Sequence, residues 1–105
     1  MKKRNITLRI KRVYFDKILS GKKRIEYRDV KDFYDRLFER KEEIGTLTLH
    51  YQQKRKLICN VKEIKKISMR TARRLTPEEF TEAETKGIEF GSHVYAIHVN
   101  RARLL

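Results

Sequence analysis

GKKRIEYRD, residues 21 to 29, holds four Lys/Arg residues, one Glu and one Asp, and only Ile25 and Tyr27 as packing groups. Despite the charge it alternates with period two, as a β-strand does. Ile25 and Tyr27 share one face. Arg24, Glu26 and Arg28 share the other. The spacing predicts a strand over residues 23 to 28 whose apolar face meets the core and whose charged face meets solvent or a groove. Lys23 has the opposite parity but lies beside Gly21 in the turn, where it can lean over the Glu26 face. A solvated, ion-paired sheet edge and a ligand site both fit this pattern, since exposed cross-strand ion pairs are common and weak.

The elements on either side are read outward from this strand. Ile6, Leu8 and Ile10 alternate with polar residues and predict a first strand. Tyr14, Phe15, Ile18 and Leu19 fall at helical spacing, and Gly21 stands where a helix-ending glycine belongs. Asp29 is expected to cap a second helix carrying Phe33, Tyr34, Leu37 and Phe38. Gly45 opens a third strand with Leu47, Leu49 and Tyr51 inward. QQKRK, 52 to 56, reads as a polar turn, and a fourth strand follows over residues 57 to about 64, with Leu57, Cys59 and Val61 inward. Thr76, Pro77 and Glu79 form a capping-box helix start, and that helix ends near Gly87. A last strand over 93 to 100 carries Tyr95, Ile97 and Val99. The expected order is β-α-β-α-β-β-α-β, an α+β chain forming a small barrel of about five strands with flanking helices.

Composition bounds the function. The 105 residues fit one domain, 1 to 105. Hydrophobic and charged residues each make up 39%, and with five Tyr and five Phe the chain has enough apolar material to fold. No apolar run reaches the ~20 residues of a membrane span, and the basic start MKKRNITLRIKR has no secretory core. A single cysteine, Cys59, excludes an internal disulfide and cysteine-rich zinc patterns, which fits a reducing, cytoplasmic setting. Lys plus Arg number 27 against 14 Asp plus Glu, a net charge of +13, with a pI near 10.1. Such an excess favours a polyanionic partner, nucleic acid above all. The excess is uneven: residues 54 to 74 hold nine Lys/Arg and one Glu, whereas 78 to 89 hold five Glu and one Lys. The run Lys54, Arg55, Lys56, Lys62, Lys65, Lys66, Arg70, Arg73 and Arg74 is a candidate phosphate track, against the plainer reading of a solvated face. Residues 67 to 75 suit a short basic helix. Among the tyrosines Tyr14 is the candidate for stacking on a base, because its helix leads into the charged strand. His50, His93 and His98 lack metal-ligand spacing, so no metal is expected, and no phosphate loop or dinucleotide fingerprint implies a cofactor.

Gly21-x-Lys23-x-x-Glu26-x-Arg28, preceded by Leu8-x-Ile10 and the helix through Ser20, resembles the GxKxxExR signature of the ASCH domain family, a branch of the PUA-like superfamily. Residues 94 to 99 resemble its closing strand. The resemblance implies a PUA-like β-barrel, a cleft lined by Lys23, Glu26 and Arg28, and an RNA-related role: binding of RNA or a nucleotide-like ligand. Arg28 would hold a phosphate bidentately and Lys23 would act on it as a point charge. Two enzymatic alternatives belong to the same resemblance. One family branch hydrolyses N(4)-acetylcytidine with a threonine nucleophile at the place of Glu26 and a lysine partner at the place of Lys23. With Glu in that position, the corresponding role here is that of a base acting on water. Another branch is ribonuclease-like, and in a metal-independent cleavage Glu26 would be the base and Lys23 and Arg28 the stabilising cations.

Overall fold

A computed structural model describes residues 4–52 and 54–105. Its centre is a five-stranded mixed sheet curled into a half-barrel, in the order β1-β3-β4-β5-β2. The strands are β1 (Arg4–Arg9), β2 (Ile25–Asp29), β3 (Ile44–Gln52), β4 (Arg55–Ser68) and β5 (His93–Leu104). β1 runs parallel to β3, and the other pairings are antiparallel. The helices are α1 (Arg12–Leu19), α2 (Asp32–Leu37), α3 (Met69–Leu75) and α4 (Pro77–Thr85), with a 3-10 turn at Lys41–Glu43. Among the described residues no helix is long and apolar enough to cross a membrane.

Register explains where the core sits. Residues opposite one another on paired strands share a face. Leu8 lies opposite Leu49, which lies opposite Leu57. Ile64 lies opposite Ile97, which lies opposite Glu26. The concave face therefore gathers Ile6, Leu8, Leu47, Leu49, Leu57, Cys59, Val61, Ile64, Ile97 and Val99, and α1 closes over it with Phe15 and Ile18. A second, smaller cluster lies on the outer face at the β5–β2 end. There Val94 and Tyr27 are covered by Met69 and Ala72 of α3 and Phe80 of α4.

Several local expectations change. The alternation of GKKRIEYRD is real, but its faces are exchanged. Glu26 and Arg28 share the side of the main core, opposite Ile97 and Tyr95, while Tyr27 packs into the outer cluster and Ile25 stays half-buried. Asp29 does not cap a helix. It is the last residue of β2, opposite Val94, and Lys31 holds the N-cap position of α2. β4 runs on to Ser68, because a register shift between Val61 and Glu63 resets its alternation. The 67 to 75 segment does form a helix, α3, capped by the Ser68 hydroxyl accepting from the Thr71 N–H at 3.2 Å. The order is thus β-α-β-α-β-β-α-α-β.

Gly21 is required where it stands. It follows α1 with φ of 81°, and its N–H donates to the Ile18 carbonyl at 3.1 Å. A Cβ there would meet nothing within 4 Å, so the cost of a side chain is the left-handed backbone alone. Gly21→Ala is expected to lower unfolding free energy by about 1–2 kcal/mol, read from a urea denaturation curve. An unchanged midpoint would show that the turn has another conformation.

Candidate functional site

β1 and β2 are the two edges of the open sheet, and the Arg28 side chain spans the seam between them. Its Nη2 donates to the Arg9 carbonyl of β1 at 2.8 Å and to Glu26 Oε2 at 2.7 Å. Its Nη1 donates to the Tyr34 hydroxyl, just after the seam, at 3.0 Å. Burial works against this cation, but Glu26 and Tyr34 outweigh it, so the guanidinium is held more firmly charged than usual. Arg28 Nε is buried without a partner among the described residues.

Lys23 enters from the turn after Gly21 and is buried, with a side chain 5% exposed. Its Nζ donates to Glu79 Oε1 of α4 at 2.5 Å and lies 3.6 Å from Glu26 Oε1. It also lies 5.2 Å from the centre of the Tyr14 ring and 5.4 Å from that of Tyr27, in cation–π range of both. The result is a chain of alternating charge: Arg28, Glu26, Lys23, Glu79. Two cations balance two acids, which is how buried charges persist. Desolvation, with Glu79 and Glu82 nearby, raises the Tyr14 hydroxyl, and desolvation raises that of Tyr27. Both are neutral hydrogen-bond donors at physiological pH.

The sequence pattern assigns Glu79 to a capping box with Thr76. The structure uses both residues elsewhere. The Thr76 hydroxyl donates to the Tyr27 hydroxyl at 2.8 Å and makes no cap bond to α4, and Glu79 goes to Lys23. An acid of the Glu-rich segment is thus part of the cluster. Sequence spacing hid it, because the capping pattern offered a local use for the same two side chains.

A cleft of about 810 Å³ opens along the seam. Glu26, Arg28 and the rings of Tyr14, Tyr27, Tyr34 and Tyr51 line it, with Phe80, Ile88 and Phe90 on the α4 side. Its cations beyond Arg28 are Arg9, Lys11, Arg12 and Lys31. These four were not singled out from the sequence. Arg9, Lys11 and Arg12 lie together at the β1–α1 junction and Lys31 at the β2–α2 junction, and the signal for them is adjacency to the ends of β1 and β2.

Tyr14, Glu26 and Arg28 therefore line the cleft, while Lys23 lies behind it, lining a second concavity of about 540 Å³. Lys54, Arg55, Lys56, Lys65, Lys66, Arg70, Arg73 and Arg74 line neither space and are exposed. Lys54, Arg55 and Lys56 sit at the β3–β4 turn, where Arg55 Nε donates to the hydroxyl of cleft residue Tyr51 at 3.1 Å. Lys65 pairs with Glu63 at 3.4 Å and Arg73 with Glu84 at 2.7 Å. The basic tract is split between the two ends of β4 and is not one stripe. Burial, reinforced by Glu26, pushes the Cys59 thiol up to about 12, so it is not a nucleophile. Among the described residues no group of three or more His, Cys, Asp or Glu is placed to hold a metal.

Comparison of the chain with family models, with curated proteins and with solved structures finds no match.

Proposed function

We propose that the protein is a PUA-like, ASCH-type domain that binds single-stranded RNA in the seam cleft. The observation that carries this reading is the cleft's composition: four tyrosine rings around a polar floor, with Arg9, Lys11, Arg12 and Lys31 among its lining residues. Bases need flat rings to stack on, and the backbone needs cations within reach. The volume suits a drug-sized or nucleotide-sized group. The net charge of +13 supplies long-range attraction for the polyanion.

The division of labour differs from that implied by the GxKxxExR resemblance. Arg28 already donates to Glu26, the Arg9 carbonyl and Tyr34, so phosphate contacts fall to the four other lining cations. Glu26 and Arg28 instead present the floor, where a base edge or ribose hydroxyl meets an acceptor and a donor. In the hydrolytic alternative Glu26 takes a proton from water or from a 2′-hydroxyl. Both its oxygens already face cations, so that role requires one contact to be exchanged, and the geometry favours binding.

Fluorescence polarisation with a labelled RNA single strand, titrated at several salt concentrations, tests the reading. Affinity should fall with salt with a logarithmic slope of about −2 to −3, since three or four neutralised phosphates contribute ~0.7 each. Lys11→Glu/Arg12→Glu should weaken binding at least tenfold and flatten the slope. An equal reversal at Lys65 and Lys66 should do much less. Binding lost equally in both variants, or no binding at low salt, rules the cleft out. Turnover of labelled RNA or acetylcytidine that is abolished by Glu26→Gln would instead establish the hydrolase.

A further inference from the structure

The two concavities share a partition. Tyr14 and Glu79 line both of them. On the far side four cations, Lys17, Lys22, Lys23 and Arg24, line one wall, and two further acids of α4, Glu78 and Glu82, line the other. Three of the four cations are exposed, and Lys23 is the buried one. The partition is half aromatic and half acid, and its acid half is the Lys23–Glu79 pair at 2.5 Å.

Three facts mark Glu79 as a replaceable part of that wall. Its side chain is 22% exposed against 5% for Lys23, so it is reachable from solvent. Its helix is anchored without it: Phe80 packs edge-on to Tyr27 at 4.8 Å and to Phe90 at 5.3 Å, and Thr76 holds the Tyr27 hydroxyl. And Lys23 keeps a second acid, Glu26, at 3.6 Å. Releasing Glu79 therefore leaves a cation with an open coordination position between two spaces, in each of which the lining cations outnumber the remaining acids.

We propose that Glu79 is an internal stand-in for a phosphate. A single-stranded oligonucleotide lying in the seam cleft displaces it from Lys23 and continues into the second concavity, where Lys17, Lys22 and Arg24 receive the following phosphates. The two concavities are one groove, gated by the acid of α4. The ligand class is accordingly an oligonucleotide that spans both spaces, rather than a mononucleotide. This rests on the cleft reading above and extends it. The gate also confers selectivity: a weak or isolated anion gains less than the Lys23–Glu79 contact it breaks, and a chain held on both sides gains more.

The test compares a uridine trimer with a uridine decamer by fluorescence polarisation. Wild type should bind the decamer at least about tenfold more tightly than the trimer. Lys17→Ala/Lys22→Ala, at two exposed positions, should remove most of that gain and leave trimer affinity unchanged. Lys65→Ala/Lys66→Ala, with equal charge loss, should preserve the gain. Glu79→Gln should tighten decamer binding about fivefold. If the length gain survives the Lys17/Lys22 change, or Glu79→Gln binds the decamer no better, the gated extension is wrong although the cleft still binds trimer. If wild type binds neither oligonucleotide, the cleft reading itself fails and takes the extension with it. If Glu79→Gln does not fold, the Lys17/Lys22 comparison alone decides.

Discussion

Glu26→Ala is expected to lower the unfolding free energy by about 3–5 kcal/mol, the loss typical when one partner of a buried ion pair is removed. That is a large share of the ~5–15 kcal/mol available to a small domain. The reason is the chain of charges. Without Glu26, the hydrogen-bond partners left to Arg28 among the described residues are neutral, Tyr34 and the Arg9 carbonyl, and Lys23 keeps one acid, Glu79, beside the Tyr14 and Tyr27 rings. The cluster changes from neutral to a net positive charge with little water to spread it. Glu26→Gln retains an acceptor and should lose less, about 1–3 kcal/mol. Added salt should not restore the alanine variant, because buried charges are poorly screened. Urea denaturation with and without salt measures both points. A Glu26→Ala protein within 1 kcal/mol of wild type would mean that water reaches the cluster freely.

Phe15→Ala should cost a comparable ~3–5 kcal/mol by a different route, the cavity left in a dense core. Phe15 is fully buried on the core-facing side of α1, and its ring meets Tyr51 edge-on at 4.8 Å. Tyr51 also lines the cleft. The substitution therefore removes the support of one cleft wall as well as core volume. We expect a lower denaturation midpoint, and in the fraction that remains folded a weaker RNA affinity even though Phe15 touches no ligand. Phe15→Leu, which keeps most of the volume, should recover most of both. Full stability in Phe15→Ala would show that the core collapses around the gap.

Much of the fold is legible in the sequence, for an identifiable reason. β1, β3 and α1 each bury one face, so Ile6/Leu8, Leu47/Leu49 and Phe15/Ile18 carry their periodicity openly; β5 is buried on both faces from Val94 to Ile97, but its Tyr95/Ile97/Val99 row is apolar throughout and still reads as a strand. β2 is covered on both faces. Period two shows there that Tyr27 and Glu26 point apart, and a rule placing apolar residues inward then assigns the faces the wrong way round. The larger core lies on the side of the glutamate, because Lys23 and Arg28 accompany it inside. The site is half legible. Lys23, Glu26 and Arg28 do converge, but their fourth member, Glu79, is supplied by a helix distant in sequence. The cations of the cleft, Arg9, Lys11, Arg12 and Lys31, come from the β1–α1 and β2–α2 junctions, where no periodicity marks them. The densest basic run, by contrast, is dispersed by the length of β4.

The strand order has a consequence for how the chain acquires its fold. β3 and β4 are neighbours in sequence and pair antiparallel, so they can pair early and locally. β2 has no local partner. It enters the sheet only by pairing with β5, Ile25 opposite His98, so its closure carries a large loop-entropy cost and belongs late in folding. Lys23, Glu26 and Arg28 then stay hydrated until that final docking step, and their desolvation falls on the far side of the folding barrier. Substitutions in the charged cluster should accelerate unfolding and leave the refolding rate nearly untouched, whereas substitutions in the β3–β4 hairpin should slow refolding.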